Sequence, residues 1–304
     1  MIAIPDELTT TMARFGDKGR AWLRSLPPIV DEFVDRWSLT LGSPFPASYS
    51  YVTPARLRDG VSAVLKVNFV DRENVHEGEA LRRYEGRGAV RLLDADDEAG
   101  VLLLERCEPG TRLSQIEDDE VATAIAADVI RRLWKPVGAG HPFERVSDRA
   151  RAWAASVPEE FERLGRPFDT DLAERASALF AELADSSDEA FLLDQDFHHY
   201  NVLAAQREPW LAIDPKPLVG DRAFDLGALL RNPGPQVFEG RDPGRVTARR
   251  IDQLVEALGL SRERIVGWAV AQSVELGLWS LSVGDRETGE WEIFCAEVLS
   301  QILG

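Results

Sequence analysis

One block of the sequence places carboxylate and amide side chains at spacings suited to metal binding and proton transfer. In DQDFHHYNVL, residues 194–203, Asp196 and Asn201 are five positions apart, and Asp214 follows thirteen residues later at the end of a short apolar stretch. Their oxygens are the hard ligands that Mg²⁺ prefers. A loop followed by a β-hairpin would return Asp214 to the small volume that holds the other two side chains, so the block predicts one compact polar site.

The spacing within this block is that of a kinase catalytic loop. In such a loop one Asp orients an acceptor hydroxyl, and an Asn with a second Asp holds Mg²⁺ against the phosphates of ATP. Taken alone, Asp196 could equally be a turn-forming or capping carboxylate. The block therefore needs support from elsewhere in the chain before it indicates phosphoryl transfer.

Support comes from a lysine inside an apolar strand pattern, V-L-K-V at residues 64–67. Alternation along a strand puts Val64 and Lys66 on one face, where Val64 would cover an adenine and Lys66 would reach the α- and β-phosphates of ATP. On the next predicted helix Glu77 lies on the inward face and can pair with Lys66, whereas Glu79 faces elsewhere. Singly, Lys66 and Glu77 would pass for surface charges, but in this order they favour a kinase.

The periodicity around these residues predicts two differently built parts. Up to residue 107, apolar alternation predicts strands with one helix, and beyond it the helical period dominates. The predicted strands cover 48–52, 61–69, 89–93 and 101–106, the helix among them covers 73–85, and a helical lead-in over 5–37 is broken at Pro27-Pro28. The later helices cover 119–134, 148–163, 170–184, 243–258, 261–282 and 287–303, with short strands at 202–204 and 210–213.

These elements predict an α+β protein with a two-lobed, protein-kinase-like fold. Residues 1–107 form a β-rich N-terminal lobe that binds nucleotide. Residues 108–304 form a mainly helical C-terminal lobe that carries the catalytic loop and the acceptor site. The cleft expected between the two parts is the natural place for ligands.

The composition limits the classes of binding partner and the cellular compartment that fit this protein. With 35 Lys plus Arg against 52 Asp plus Glu, the formal net charge is −17, which disfavours nucleic acid and anionic membranes and attracts cations. Two widely separated cysteines, no signal-peptide pattern and no long apolar run predict a cytoplasmic protein that is not membrane-bound.

Other chemistries find little support in the sequence. His198 and His199 are adjacent and lack the spacing of a zinc site. No Gly-x-Ser-x-Gly motif, Walker-type phosphate loop or dinucleotide-binding glycine pattern occurs.

Long motifs then identify a family. The chain resembles the aminoglycoside phosphotransferases, and most closely their streptomycin 6-phosphotransferase and hydroxyurea-resistance branch. The resemblance spans nearly the whole chain. It is carried by VLKV at 64–67, GRGAVRLLDAD at 86–96, LLLER at 102–106, DFHHYNVLAA at 196–205 and REPWLAIDPKPLVGDRAFDLGALLRNP at 207–233.

Transferred onto matching positions, the resemblance implies a role for each site residue. Asp196 is the catalytic base, Asn201 and Asp214 are the Mg²⁺ ligands, and Lys66 with Glu77 positions the phosphates. Glu105 to Cys107 form the hinge whose main chain meets the adenine, and Ser48 lies in the turn that covers the phosphates. His198 lies near the γ-phosphate or holds the loop, and Asp225 braces the catalytic loop from below.

Two features depart from the family pattern. Asp194 stands where relatives usually have His, so a loop-bracing hydrogen bond is expected to change, and two neighbouring carboxyls should raise the pKa of one of them. The turn LGSPFPASYSYV at 41–52 is poor in glycine for a segment that covers phosphates.

Together these observations predict a small-molecule kinase that uses ATP and Mg²⁺. The acceptor would be a hydroxyl of a small, cationic molecule, with an aminoglycoside such as streptomycin as first choice. Two alternatives remain: a kinase for another hydroxylated compound, such as an amino sugar or hydroxyurea, and a protein that binds nucleotide or antibiotic without catalysis.

Overall fold

A computed structural model of the protein describes residues 2–186 and 189–303. The chain divides into two units, Met1–Gly110 with Ala205–Pro209, and Thr111–Ala204 with Trp210–Gly304. The nucleotide-binding and acceptor roles expected for lobes 1–107 and 108–304 stay predictions.

An antiparallel five-stranded sheet forms the centre of the first unit. Its strands are β1 (Thr40–Leu41), β2 (Ser50–Arg56), β3 (Ser62–Asn68), β4 (Leu92–Asp96) and β5 (Val101–Glu105), in the order β1-β2-β3-β5-β4. Helices α1 (Asp6–Ala13) and α2 (Gly16–Trp37) share a buried apolar cluster with one face of this sheet, while α3 (Glu77–Tyr84) follows β3 in the chain. Leu65 and Val67 of β3 are fully buried in that cluster, so the alternate residues Val64 and Lys66 belong to the other face.

The prediction that Pro27-Pro28 breaks the first helix is wrong, because α2 runs through both prolines. Each proline removes a main-chain hydrogen bond and costs about 3 kcal/mol in a helix interior. Leu26, Val30 and Phe33 nevertheless repeat at helical spacing and are buried against the sheet. Burial of this apolar stripe offsets the cost, as tertiary packing commonly does for helices in proteins.

Two predicted strands are displaced. The strand expected at 48–52 is β2 and begins at Ser50, so Ser48 lies in the preceding loop. The strand expected at 89–93 is β4 and begins at Leu92, with an irregular register between Leu92 and Asp94. The apolar residues Ala89 and Val90 are buried, which resembles a strand pattern, but they precede the first residue of β4.

The second unit is mostly helical, as predicted. Its helices are α4 (Asp119–Leu133), α5 (Val146–Arg163), α6 (Thr170–Asp185), α7 (Leu226–Arg231), α8 (Pro243–Leu258), α9 (Arg262–Ser282) and α10 (Arg286–Leu303). The ends of helix α8 could be predicted from sequence because both carry capping residues. The Asp242 carboxylate accepts a hydrogen bond from the Arg245 N–H, and Pro243 is the first helical residue. Gly259, at φ +67°, is the C-cap. Helix α9 is buried on most of its surface and is the central helix of the unit.

Short strands complete this unit. A four-stranded sheet has the order β6 (Lys135–Pro136), β8 (Phe191–Leu193), β11 (Leu218–Gly220) and β7 (Glu144–Arg145). Strands β9 (Val202–Ala204) and β10 (Trp210–Ala212) form the predicted hairpin. The four-stranded sheet was not predicted, because its short strands pair with partners far away in the sequence, and the six-residue helix α7 was not predicted either. Within the described ranges, no helix is both long and apolar enough to cross a bilayer.

Candidate active site

The segment from Asp194 to Asn201 connects β8 to β9 and is held by one buried carboxylate. The Asp225 oxygens accept hydrogen bonds from the main-chain N–H groups of Asp194 (3.1 Å) and Gln195 (2.8 Å) and from Trp134 Nε1 (2.9 Å). Burial raises the pKa of Asp225 to about 6, although these donors lower it. Gln195 adopts φ +63°, a strained conformation for a residue with a side chain. The predicted bracing role of Asp225 is confirmed.

Asp196 lies at the exposed side of this loop among three polar neighbours. Its carboxylate is 3.1 Å from Lys216 Nζ, 3.5 Å from His198 Nε2 and 3.3 Å from Asn201 Nδ2. Burial raises the pKa of Asp196, but Lys216 and His198 together outweigh it and hold the pKa below its usual range. The side chain is 28% exposed. Asp196 is therefore an ionised carboxylate that a ligand can reach.

Asn201 and Asp214 are brought together by the β9–β10 hairpin. The Asn201 carbonyl accepts a hydrogen bond from the Ile213 N–H at 2.9 Å, which places Asp214 immediately beyond this contact. The Asn201 amide nitrogen donates to the Asp196 carbonyl oxygen at 3.1 Å. With the nitrogen so engaged, the Asn201 amide oxygen is the atom left to act as a ligand.

This donor set fits Mg²⁺. An amide oxygen and a carboxylate are hard ligands, and Mg²⁺ in phosphoryl-transfer sites takes few protein ligands and completes its shell with phosphate oxygens and water. The described part of the chain holds no group of three or more His, Cys, Asp or Glu side chains arranged for a metal. Asp214 adopts φ +57°, so the chain turns sharply where the second ligand is presented. The assignment of Asn201 and Asp214 as Mg²⁺ ligands stays a prediction.

Asp194 is the group whose pKa rises, as expected for two neighbouring carboxyls. It is buried, and its pKa is raised well above the usual range by burial, then by the charges of Asp225, Asp196 and Asp214. Its Oδ1 has no hydrogen-bond partner within the described residues. The loop brace does not use this side chain, because Asp225 holds the main chain instead. The raised pKa thus belongs to Asp194, while the pKa of Asp196 is held below its usual range.

In the first unit, the predicted Lys66–Glu77 pair forms. Lys66 Nζ lies 2.7 and 2.8 Å from the two Glu77 oxygens, and the residues are 4% and 1% exposed. Asn68, two residues after Lys66 on the same face of β3, donates to Glu77 at 2.8 Å. Glu79 pairs with Arg83 instead, as predicted.

Val64, Ser48 and Cys107 were also predicted to bind nucleotide, and each has different neighbours in the first unit. Val64 is half-buried on the Lys66 face of β3. The Ser48 hydroxyl donates to Glu7 at 2.6 Å, so it is engaged within the protein. Burial and the Glu105 charge raise the pKa of the Cys107 thiol to about 12, although Arg207 lowers it. Their nucleotide contacts stay predictions.

Glu105 has a structural partner that the sequence did not reveal. Its carboxylate accepts hydrogen bonds from Arg207 Nε at 2.9 Å and from the Arg91 N–H at 2.9 Å. Arg207 also donates to the carbonyl oxygens of Gly86 and Ala89. Since the side chain of Glu105 is occupied in this way, its predicted role at the hinge depends on its main chain.

Sequence reasoning also missed Lys216 and Asn68. Lys216 lies two positions after Asp214, inside a motif already judged specific, yet its contact with Asp196 was not foreseen. A signal existed, because lysine is rare here: only four of the 35 basic residues are lysines. Asn68 could have been found by extending the alternation of Val64 and Lys66 by one step.

Known proteins are similar to this chain over most of its length. Residues 36–284 match the family described as aminoglycoside/hydroxyurea antibiotic resistance kinase. The chain is 37% identical over 301 residues to the streptomycin 6-kinase of Streptomyces glaucescens, covering 98% of this chain and 97% of that protein. It is 38% identical over 303 residues to the hydroxyurea phosphotransferase of Kitasatospora aureofaciens, covering 98% and 86%.

Solved structures with low identity share the fold. Choline kinase LicA from Streptococcus pneumoniae superimposes with a TM-score of 0.61 at 16% identity, covering 91% of this chain and 98% of that one. Amicoumacin kinase hAmiN, solved with AMP-PNP and Ca²⁺, gives a TM-score of 0.61 at 15% identity, covering 97% and 95%. The predicted protein-kinase-like fold is confirmed. The chain therefore belongs to the aminoglycoside/hydroxyurea antibiotic resistance kinase family.

Proposed function

We propose that the protein transfers the γ-phosphoryl group of ATP to a hydroxyl of an aminoglycoside, with streptomycin as the first candidate. The observation that carries this proposal is the cluster of Asp196, Asn201 and Asp214 formed by the braced loop and the β9–β10 hairpin. Relatives named streptomycin 6-kinase, 37% identical over nearly the whole chain, support the acceptor class.

In the proposed reaction Asp196 orients the acceptor hydroxyl and takes up its proton late. The hydroxyl oxygen forms a bond to the γ-phosphorus, the bond from that phosphorus to the bridging oxygen of ADP breaks, and ADP leaves with the electron pair. The depressed pKa of Asp196 suits this order, because a weak base accepts the proton only as the new bond forms.

The remaining residues position the nucleotide. Glu77 holds the Lys66 ammonium, which binds the α- and β-phosphates. Asn201 and Asp214 hold Mg²⁺, which when bound neutralises charge on the phosphates. AMP-PNP bound to amicoumacin kinase, a protein of the same fold, supports ATP as the nucleotide. Both cysteines are free thiols, which supports a reducing compartment, and we place the reaction in the cytoplasm.

The test is an acceptor screen with Mg·ATP that compares streptomycin, other aminoglycosides and hydroxyurea, with the phosphate located in each product by mass spectrometry and ³¹P NMR. Asp196→Asn should bind ATP almost normally but lower kcat by roughly 10²–10⁴, the usual contribution of a positioned base. Asp17→Asn, at an exposed position, is the matched control. Wild-type turnover in Asp196→Asn would remove Asp196 from the mechanism.

Hydroxyurea is the second candidate acceptor, because a relative of 38% identity is named hydroxyurea phosphotransferase. Phosphorylated hydroxyurea without phosphorylated aminoglycoside would select that activity. Nucleotide binding with no product from any acceptor would instead indicate a binding protein without catalysis.

A further inference from the structure

The chain uses arginine almost everywhere for positive charge, which makes its few lysines informative. Of 35 basic residues 31 are Arg, and the lysines are Lys18, Lys66, Lys135 and Lys216. Arg and Lys are not equivalent, since guanidinium is a broad planar fork and ammonium is a compact charge on a flexible stem. Lys66 contacts Glu77 in the first unit, and Lys216 contacts Asp196 in the second unit.

The main chain holds Lys216 in a defined place. Its N–H donates to the Asp194 carbonyl oxygen at 2.8 Å, so it is tied to the strand end that begins the catalytic loop. Prolines on both sides restrict its backbone further. From there Lys216 Nζ reaches Oδ2 of Asp196 at 3.1 Å. The same turn therefore presents a predicted Mg²⁺ ligand, Asp214, and an ammonium group.

The exposure of this contact argues against a purely structural role. The side chains of Lys216 and Asp196 are 29% and 28% exposed, whereas the Lys66–Glu77 pair is almost completely buried. An ion pair open to solvent contributes little to folding stability. An ammonium that water reaches beside a reactive carboxylate is also one that an anionic ligand reaches.

We propose that Lys216 is a second phosphate-binding lysine and a catalytic residue, whose ammonium exchanges its contact with Asp196 for an oxygen of the γ-phosphoryl group when Mg·ATP binds. This inference rests on the proposed function. Before ATP binds, Lys216 pairs with Asp196. With Mg·ATP bound, Lys216 turns to the γ-phosphoryl oxygens, and Asp196 is left to accept the hydrogen bond of the acceptor hydroxyl.

The charge balance of the transfer suits this exchange. Negative charge is spread over the three equatorial oxygens of the γ-phosphoryl group as the bond to ADP breaks and the bond to the acceptor oxygen forms. The acceptor proton moves to Asp196, which neutralises that carboxylate and removes its attraction for an ammonium. The Lys216 ammonium supplies a positive charge where the negative charge develops.

The first experiment compares Lys216→Met and Lys216→Arg with Lys18→Met, a control at an exposed lysine of α2. Lys216→Met keeps the length and removes the charge, so kcat should fall by roughly 10²–10³, the Kd for Mg·ATP should rise by a smaller factor, and the melting temperature should change little. Lys216→Arg should recover only part of the rate, because the fork cannot replace a compact ammonium. Turnover of Lys216→Met close to wild type would overturn the proposal.

The second experiment needs no acceptor, and so separates this inference from the proposed function. Amines are methylated reductively with and without Mg²⁺ and a non-hydrolysable ATP analogue, and the four lysines are resolved by mass spectrometry. Labelling of Lys216 should fall with nucleotide while labelling of the exposed Lys18 stays constant. Unchanged labelling of Lys216 would overturn the proposal. Protection of Lys216 in a protein that phosphorylates no acceptor would support the phosphate contact and reject the proposed function.

Discussion

At the scale of single residues, the site depends on carboxylates that do different work at close range. Asp196 is ionised and reachable, Asp194 is buried with a raised pKa, and Asp225 is committed to main-chain N–H groups. Nothing in residue type separates these roles. The roles differ because the three side chains lie differently relative to β8, Lys216 and solvent. The spacing of the aspartates in the sequence therefore predicted the site, but the differences in their pKa values are seen only in the structure.

Asp214→Ala is expected to abolish the Mg²⁺ dependence of nucleotide binding. Asn201 would remain as the partner ligand, and an amide carries no charge to hold a divalent ion. Calorimetric titration of ATP with Mg²⁺ and with a chelator should give different Kd values for the wild type and the same weak Kd for the variant. Asp17→Asn, a change of charge at an exposed position, should keep the wild-type difference. Unchanged Mg·ATP affinity in Asp214→Ala would contradict the assignment.

Asp194→Asn should make folding stability depend less on pH. Asp194 binds its proton more tightly in the folded protein than in the unfolded chain, so its contribution to stability is full below the unfolded pKa and is lost as pH rises through the folded pKa. Asp225, with a folded pKa of about 6, acts in the same direction.

Urea unfolding of metal-free protein at pH 5 and pH 8 measures this effect. Wild type should lose stability between the two pH values. Asp194→Asn should lose less, and should be the more stable of the two at pH 8, because the amide carries no buried charge beside Asp196 and Asp214. The variant keeps part of the slope through Asp225. Equal slopes for the two proteins would place the titration elsewhere.

At the scale of elements, the Lys66–Glu77 pair connects β3 to α3. Replacing only Lys66 leaves Glu77 as a buried carboxylate without its cation, which costs about 3–5 kcal/mol. Lys66→Met should therefore lower the free energy of unfolding and weaken ATP. Adding Glu77→Gln should restore much of the stability, since no buried charge is left, but should not restore ATP affinity.

The comparison of the single and double variants separates folding from binding. Chemical denaturation gives the stability of each protein, and kinetics give KM for ATP and for the acceptor. KM for the acceptor should change less than KM for ATP in both variants. ATP affinity that returns together with stability in the double variant would show that Lys66 acts through folding alone.

The elements also show how far local sequence determines structure. Helices α8 and α9 were predicted to within one or two residues, because each begins at a capping residue, Asp242 and Ser261. Helix α2 was misjudged, since proline is a local signal and the burial that offsets it depends on a distant sheet. The strands of the four-stranded sheet escaped prediction because their partners lie far away in the sequence.

Side-chain contacts show the same limit of prediction from local sequence. The Lys66–Glu77 contact followed from strand alternation and helix periodicity, and both are local rules. The Glu105–Arg207 contact joins residues 102 positions apart, and no local rule relates them. The Lys216–Asp196 contact is an intermediate case. The motif that contains Lys216 was recognised in the sequence, but the contact depends on the hairpin that brings residue 216 back to residue 196.

For the whole molecule, the excess negative charge is unevenly distributed along the chain and predicts the acceptor class. Residues 1–107 carry 14 basic and 17 acidic side chains, a net charge of −3. Residues 108–304, the part proposed to bind the acceptor, carry 21 basic and 35 acidic side chains, a net charge of −14. Many of these carboxylates pair with arginines of the same helix and serve the solvated surface. The uncompensated remainder attracts cations over a Debye length of about 8 Å at physiological salt.

The kcat/KM for streptomycin, which carries guanidinium groups, should therefore fall clearly between low and high salt, because screening weakens the attraction that brings the cation to the protein. The Kd for Mg·ATP should change less, since its phosphates meet local groups such as Lys66 rather than the overall field. Hydroxyurea, an uncharged acceptor, is the internal control, and its kcat/KM should be nearly independent of salt. Streptomycin turnover that does not depend on salt, or a preference for neutral or anionic hydroxyl compounds, would contradict the aminoglycoside assignment. The proposal that Asp196, Asn201 and Asp214 form a kinase site would be unaffected.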